Sequence, residues 1–384
     1  MLKLILIIFE AMNYESIIPF LAVLIVLLFL LFSGFLLSVK AKKKLSNQLL
    51  ASFLIITAID ISAFFYHQFI ELPLAIEMLR IKTSTFKSPL LFLYILSIIY
   101  SNFKLKKKHL FHLLPWLITV LVLFPNFFLE SNEVKINFFK NYNSNIEIQF
   151  LSYFGDILSF AYLAAEIYYI IRYRKLLLEN FTDKNTFKNY NWLKQLSILL
   201  FIGQVLTFIK NYIRSNYSND SLDIIRTIVL LFGVFFVCWL VLKALNSPKL
   251  FRGIDVNLLT SKEISKVSTI DKKTNQQLEL LKKYMETEKP YLNPSLTIRS
   301  LSEEIKMNSR DLSVLINQQL QQHFFDFVNE YRIKEAMKIL KNPSKKAFTV
   351  LEILYEVGFN SKSSFNTAFK KHTGVTPTQF RKTT

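Results

Sequence analysis

The chain has 384 residues, 52% of them hydrophobic, with a formal net charge of +19, 7 glycines and 1 cysteine. A mean hydropathy of +0.30 is high for a soluble domain. So few glycines argue against a phosphate-cradling Gly-rich loop, and the lone Cys238, set in an apolar run, excludes an intrachain disulfide framework or a cysteine zinc site; Cys238 is expected to be a small buried apolar residue.

Taken in chain order, the start, MLKLILIIFE, carries a short apolar run without a small-residue cleavage site, so no removable signal peptide is expected. Seven apolar runs then approach the roughly 20 residues that a membrane-crossing helix needs. They lie near 17–39, 47–67, 84–102, 110–129, 149–171, 192–213 and 222–244. Lys87 and Pro89 stand near the start of the third, and Pro115 is placed to kink the fourth.

Residues 1–245 hold 24 Lys/Arg and 14 Asp/Glu, and the bases gather in alternate loops. Lys40, Lys42, Lys43 and Lys44 follow span 1; Lys104, Lys106, Lys107 and Lys108 follow span 3; Arg172, Arg174, Lys175, Lys184 and Lys188 follow span 5. The other loops carry Glu71 and Glu77, then Glu130, Glu133 and Glu147, then Asp220. By the positive-inside bias the N-terminus is expected outside, and an odd number of spans puts the C-terminal part in the cytoplasm. Asp60, His67, Lys87, Asp156, Lys210 and Arg226 fall in the outer part of their spans under this topology, with Glu166 nearer the inner face. Ionisable groups at such depth read by default as functional. They suggest a polar cup for a small-molecule ligand; the alternative is that the bases snorkel to headgroups and the acids pair with them.

Residues 246–295 form a polar connector, with a helical pattern at about 274–287 that sets Leu278, Leu281 and Met285 on one face. This helix is expected either to dimerise or to pack on the domain that follows. From Leu296 the pattern becomes short capped helices. One lies at about 298–305, followed by the turn KMNS and a helix from Ser309 to about Leu320, with Asn308 and Asp311 spaced as a reciprocal capping pair. A longer helix at about 324–340 comes next, with Phe324, Val328, Ile333, Met337 and Leu340 as a core stripe. The second unit opens with the capping box Thr349/Glu352, runs to Gly358 and Phe359, and continues as a helix at about 361–372 with Phe365 and Phe369 inward. Thr376-Pro377 opens a last short helix. Residues 246–384 hold 23 Lys/Arg and 14 Asp/Glu, a balance suited to a nucleic-acid surface.

The spacing of Val357, Gly358, Phe359, Ser364, Phe365, Phe369, Lys370, Lys371, Gly374, Thr376, Pro377, Phe380 and Arg381 resembles the second-unit signature of the AraC/XylS family of bacterial regulators. Leu301, Leu312, Ser313, Arg332, Ala336 and Leu340 match its first unit and linker helix more weakly. Thr367 departs from the Arg frequent in that family, and residues 296–323 balance three bases with three acids. The resemblance implies DNA contacts from Ser309, Arg310, Ser313, Val314 and Asn317 in the first unit, and from Ser361, Lys362, Ser363, Asn366, Thr367, Lys370 and Lys371 in the second.

The expected architecture is therefore all-α. A seven-helix transmembrane bundle occupies 1–245, a connector 246–295, and a soluble domain of two helix-turn-helix units joined by a long linker helix 296–384. The expected function is a one-component transcriptional regulator of the bacterial inner membrane that binds double-stranded promoter DNA from the cytoplasm and answers an extracytoplasmic or membrane cue. The alternative is a constitutive regulator that is only anchored in the lipid bilayer, or released from it by proteolysis. No metal, cofactor or catalysis is expected, since no HExxH pattern or nucleophile elbow occurs. A homodimer, and RNA polymerase if the protein activates, are the further partners considered.

Overall fold

A computed structural model describes residues 14–39, 44–100, 102–182, 184–216, 219–247, 250, 272–345 and 347–382. The N-terminal run and residues 248–249 and 251–271 of the polar connector lie outside these residues. Among the described residues there is no strand, and the one extended pairing is an isolated antiparallel bridge between Phe181 and Thr297.

The described helices are α1 (Tyr14–Ser38), α2 (Lys44–Ile61), α3 (Leu74–Lys82), α4 (Lys87–Ile99), α5 (Leu114–Leu123), α6 (Asn132–Lys140), α7 (Ile146–Asn180), α8 (Lys188–Asn216) and α9 (Asn219–Asn246), followed by α10 (Lys272–Thr287), α11 (Ile298–Glu304), α12 (Ser309–Gln319), α13 (Phe324–Lys341), α14 (Val350–Glu356), α15 (Lys362–Thr373) and α16 (Pro377–Lys382). They divide into two compact units. One takes Met1–Ile170 with Trp192–Asp255, the other Ile171–Asn191 with Val256–Thr384.

In the first unit, six stretches are long and apolar enough to cross a membrane: Ile17–Ser38, Lys44–Phe64, Lys107–Phe128, Ile146–Asn180, Lys188–Arg214 and Ser221–Asn246. Of the seven spans expected, the third falls short of that length. Its α-helix, α4, has 13 residues, about 20 Å against a hydrocarbon core of about 30 Å. Hydroxyls explain the interruption before it. Thr83 Oγ1 donates to Arg80 O at 2.6 Å and Ser84 Oγ to Ile81 O at 2.8 Å, and residues 83–86 tighten to a 3₁₀ turn. α4 is nonetheless the most enclosed helix of the unit. Tyr94, Ile95 and Ile99 are almost wholly buried, and Trp192 Nε1 donates to Tyr94 OH at 2.6 Å.

Around it, α1 packs on α2 and α9, and α2 on α4. The outer faces stay apolar: Phe20, Leu121, Ile157 and Leu242 are exposed. Cys238 is exposed as well, which corrects the buried position expected for it; it shares the outward stripe of α9 with Phe235 and Leu242, about one turn to either side of it. Pro115 falls in the first turn of α5, where a missing N–H costs nothing, so the expected kink is not made there. The irregularity comes later, in a π turn at Phe124–Phe128 that contains Pro125. α3 and α6 pack beside this turn through Met78, Phe127 and Phe138.

The second unit holds two small cores. The first gathers Leu281 and Met285 of α10 with Leu301, Leu312, Leu315, Ile316, Phe324 and Val328. Of the two roles left open for the connector helix, packing on the following domain is the one its buried side chains serve. The second core gathers Ile333, Ala336 and Leu340 with Ile353, Val357, Phe359, Phe365 and Phe369.

Candidate nucleic-acid interface

Short helices depend on their ends, and here each helix of the two pairs is capped by its own sequence. Before α11, Ser300 N–H donates to Thr297 Oγ1 at 3.1 Å and Thr297 N–H to Ser300 Oγ at 3.0 Å. The turn that follows holds Lys306 at φ 54°, a left-handed conformation. Asn308 caps α12 by accepting from Arg310 N–H at 2.9 Å. The reciprocal bond expected of Asp311 is absent. Asn308 bonds two residues ahead rather than three, which is an Asx turn.

In the second pair the expected capping box is made in full. Thr349 N–H donates to Glu352 Oε2 at 2.7 Å and Glu352 N–H to Thr349 Oγ1 at 3.1 Å. The Thr349 N–H, with the Thr349 hydroxyl that also donates to Oε2 at 2.8 Å, holds the Glu352 carboxyl below its ordinary pKa. Gly358 ends α14 at φ 89°, and Gly374 ends α15 at φ 78°. Phe359, Phe365, Phe369 and Phe380 then meet edge to face or tilted in a chain with ring centroids 5.3, 5.5 and 5.4 Å apart.

α13 joins the pairs. Its 18 residues span about 27 Å. Phe324, Phe327 and Val328 enter the first core and Ile333, Ala336, Ile339 and Leu340 the second. Between the two sets lies Arg332, 1% exposed. Its Nε donates to Tyr291 O at 2.7 Å and one terminal nitrogen to Asn293 O at 2.8 Å, while its guanidinium carbon stands 5.5 Å from the Phe359 ring centre. In the sequence Arg332 stands out only as a family match. A base set inside an apolar stripe was the signal that it is structural.

The predicted contact residues fall into two groups. Lys362, Ser363, Thr367, Lys370 and Lys371 are exposed on α15, and Asn366 is half-buried beside them. Ser361 caps that helix, accepting from Ser364 N–H at 3.2 Å, and Lys371 pairs with Asp326 of α13 at 2.6 Å. On α12, Arg310, Val314 and Asn317 are half-buried. Ser309 shares a 2.6 Å hydrogen bond with Ser302. Ser313 is buried and accepts from Asn317 Nδ2 at 3.3 Å, so it positions a neighbour.

Residues 301–383 match the family described as "Helix-turn-helix domain". The chain is 34% identical over 92 residues to the transcriptional regulatory protein YesN of Bacillus subtilis, a match covering 23% of this chain and 24% of the relative. It is 48% identical over 54 residues to the HTH-type transcriptional regulator in the cgkA 5' region of Pseudoalteromonas carrageenovora, covering 14% of this chain and 30% of the relative. The C-terminal domain of AraT, a response regulator from Geobacillus stearothermophilus, aligns at 27% identity and a TM-score of 0.25, over 30% of this chain and 89% of that one. The C-terminal part of this chain is an AraC-type helix-turn-helix domain. The chain spans under a third of the length of these two curated relatives.

The AraC-type domain is completed by residues far from it in sequence. Thr182 is buried; its hydroxyl donates to Leu296 O at 2.8 Å and accepts from Arg332 at 3.4 Å. Phe181 pairs with Thr297 through the isolated bridge, and the Phe187 and Phe325 rings meet edge to face at 5.8 Å. On another side Lys289, itself left-handed at φ 51°, pairs with Glu335 at 2.9 Å. Burial works against the Glu335 carboxylate, but Lys289 and Lys338 outweigh it and hold its pKa low.

In the first unit the six candidate sensor residues separate. Asp60 pairs with Lys87, and Lys210 lies within electrostatic reach of both and of Arg226. Arg226 pairs with Asp223 at 2.8 Å. His67 is exposed beyond the end of α2, with its ring against Tyr66 and 3.8 Å from Glu77. Asp156 is half-buried on α7 and joins none of these pairs among the described residues. Tyr66 and Arg80, which composition did not single out, both bond Glu77.

Proposed function

We propose that this protein is a membrane-embedded transcriptional regulator in which the loop between α7 and α8 couples the apolar helices to an AraC-type DNA-reading domain. The observation that carries this reading is the burial of Thr182 against Leu296 and Arg332. A mere anchor requires no such contact. α7 has 35 residues, about 52 Å of helix, longer than the hydrocarbon layer, so its end stands clear of the bilayer. With α4 counted as a seventh crossing, kept in place by the helices that enclose it, the N-terminus is outside and the reading domain is in the cytoplasm.

In this reading α15 enters the major groove with Lys362, Ser363, Asn366, Thr367 and Lys370 outward, and α12 presents Arg310, Val314 and Asn317 to the next groove segment. Genome-wide occupancy of the full-length, membrane-resident protein tests it. Asn366→Ala is expected to blur sequence choice by about 1–3 kcal/mol per lost base contact, while Lys370→Ala weakens every site alike. Equal losses on specific and random DNA for Asn366→Ala, or an empty map for the parent protein, would count against it.

The coupling has its own test. Thr182→Val removes a donor and leaves Leu296 O without that partner, which weakens loop docking by about 1–3 kcal/mol. Amide exchange at 290–297 is expected to quicken and a promoter reporter to settle at one level whatever the growth condition. Unchanged regulation in Thr182→Val would favour the anchor-only alternative.

A further inference from the structure

Around the ends of α2, α3, α8 and α9 in the first unit, three acids each have a base. Lys87 pairs with Asp60, Arg80 with Glu77 at 2.8 Å, and Arg226 with Asp223 at 2.8 Å. Three more cations stand in the same region, and none of them has an ion pair among the described residues. They are Lys82, Lys210 and Arg214.

Two of these, Lys82 and Arg214, converge on one aromatic ring. Lys82 Nζ donates to Tyr142 OH at 3.1 Å and lies 5.5 Å from the ring centre. The Arg214 guanidinium is 5.8 Å from the same centre. Lys210 precedes Arg214 by one helical turn on the same face of α8 and feels its charge. Tyr142 is held in place by stacking on Phe139 at 6.0 Å and by packing against the Met78, Phe127 and Phe138 cluster. The site therefore has a fixed floor with Lys82 and Arg214 against it, and Lys210 stands one turn beyond Arg214, within reach of Asp60 as well.

Lys82 and Lys210 are half-buried and Arg214 is exposed beside them; like charges brought together raise each other's cost unless a counter-charge joins them. A single lysine at this depth would relieve that cost by turning to the headgroups. Lys82 and Arg214 instead both turn onto one ring. Burial, with the Arg214 charge beside it, pushes the Lys82 ammonium down to about 8, the direction expected of a cation without a carboxylate. Arginine offers a planar fork that matches an oxyanion bidentately, and lysine adds a point charge.

We propose that Lys82, Lys210 and Arg214, with the Tyr142 hydroxyl, form a binding site for a small oxyanion, a carboxylate or phosphate group. That this ion is the cue for transcription rests on the sensor reading above; that it binds does not.

The test uses full-length protein in micelles of a sugar-headgroup detergent, which supplies no phosphate. Its thermal midpoint is followed against inorganic phosphate, succinate and chloride at matched ionic strength, with phosphatidylglycerol added in a separate arm. Phosphate or succinate is expected to raise the midpoint in a saturable way. Lys210→Met is expected to raise it in chloride, by removing a like-charge neighbour, and to weaken oxyanion binding about tenfold. Lys82→Met should behave the same way. If phosphatidylglycerol alone raises the midpoint and Lys210→Met removes the rise, the site holds and its oxyanion is a lipid headgroup. No response in any arm, or a response equal in the parent and both variants, overturns the site. Binding without any change in promoter output upholds the site and removes the sensor reading. No binding beside a promoter that still answers another cue does the reverse.

Discussion

Arg332→Leu is expected to destabilise the C-terminal unit by about 3–5 kcal/mol, the largest loss from any single side chain of α13. The side chain is 1% exposed, so leucine fits the space but not the polarity around it. Tyr291 O and Asn293 O each lose a charged donor at 2.7 and 2.8 Å, and such bonds contribute about 1.5–3 kcal/mol apiece. Tyr291 is 3% exposed, so its carbonyl then lacks a donor out of reach of water, while Asn293 is exposed and can turn to solvent. The Thr182 hydroxyl loses its contact at the same stroke, so docking of the 171–191 loop should fall together with stability. Arg332→Lys should recover only part, since one ammonium cannot reproduce the fork. Chemical denaturation followed by near-ultraviolet circular dichroism of full-length protein in micelles checks the magnitude. A loss of under about 1 kcal/mol, the size of a surface change, would show that the two cores do not depend on this residue.

Gly358→Ala comes next, at about 3 kcal/mol or more. Two costs add. The φ of 89° lies where an L side chain is disfavoured, by about 1–2 kcal/mol. A Cβ there would also stand 2.6 Å from Tyr291 O and 2.7 Å from Leu292 O, and both are backbone atoms with little room to give. Gly374→Ala provides the control. It shares the positive φ, at 78°, but nothing lies within 4 Å of its Cβ position, so it should lose only the conformational part, about 1–2 kcal/mol. Equal losses for the two variants, read from the same denaturation curves, would mean that the 290–292 segment yields.

The second helix-turn-helix was legible because its information is local. Thr349 and Glu352 close a box three residues apart, Phe365 and Phe369 meet across one helical turn, and Gly358 stands where a left-handed residue is needed. The first unit was less so, because Asn308 has two nearby amides to choose from and takes the nearer one. Span 3 misled because hydropathy averages side chains and ignores the backbone ladder, which Thr83 and Ser84 disturb. Among the sensor residues, the sequence left open only that acids pair with bases; the structure pairs Asp60 with Lys87, and nothing in the order of residues distinguishes Asp60 from Asp156, which joins no such pair among the described residues. The contact of Thr182 with Arg332 spans 150 positions and leaves no periodic trace. The same holds for Lys82 and Tyr142, 60 apart.

The dependence of the reading domain on Thr182 also imposes an order of assembly. A chain made from its N-terminus presents residues 171–191 well before Leu296 and Arg332 exist, and they can dock only where α7 and α8 have left the loop. A fragment cut free anywhere in 246–271 would lack that loop, with Leu296 O and Arg332 each short of one partner. On the proposed function, the apolar helices that flank the loop thus act as a template for their own output domain, and a molecule in which they assemble wrongly carries an incomplete one.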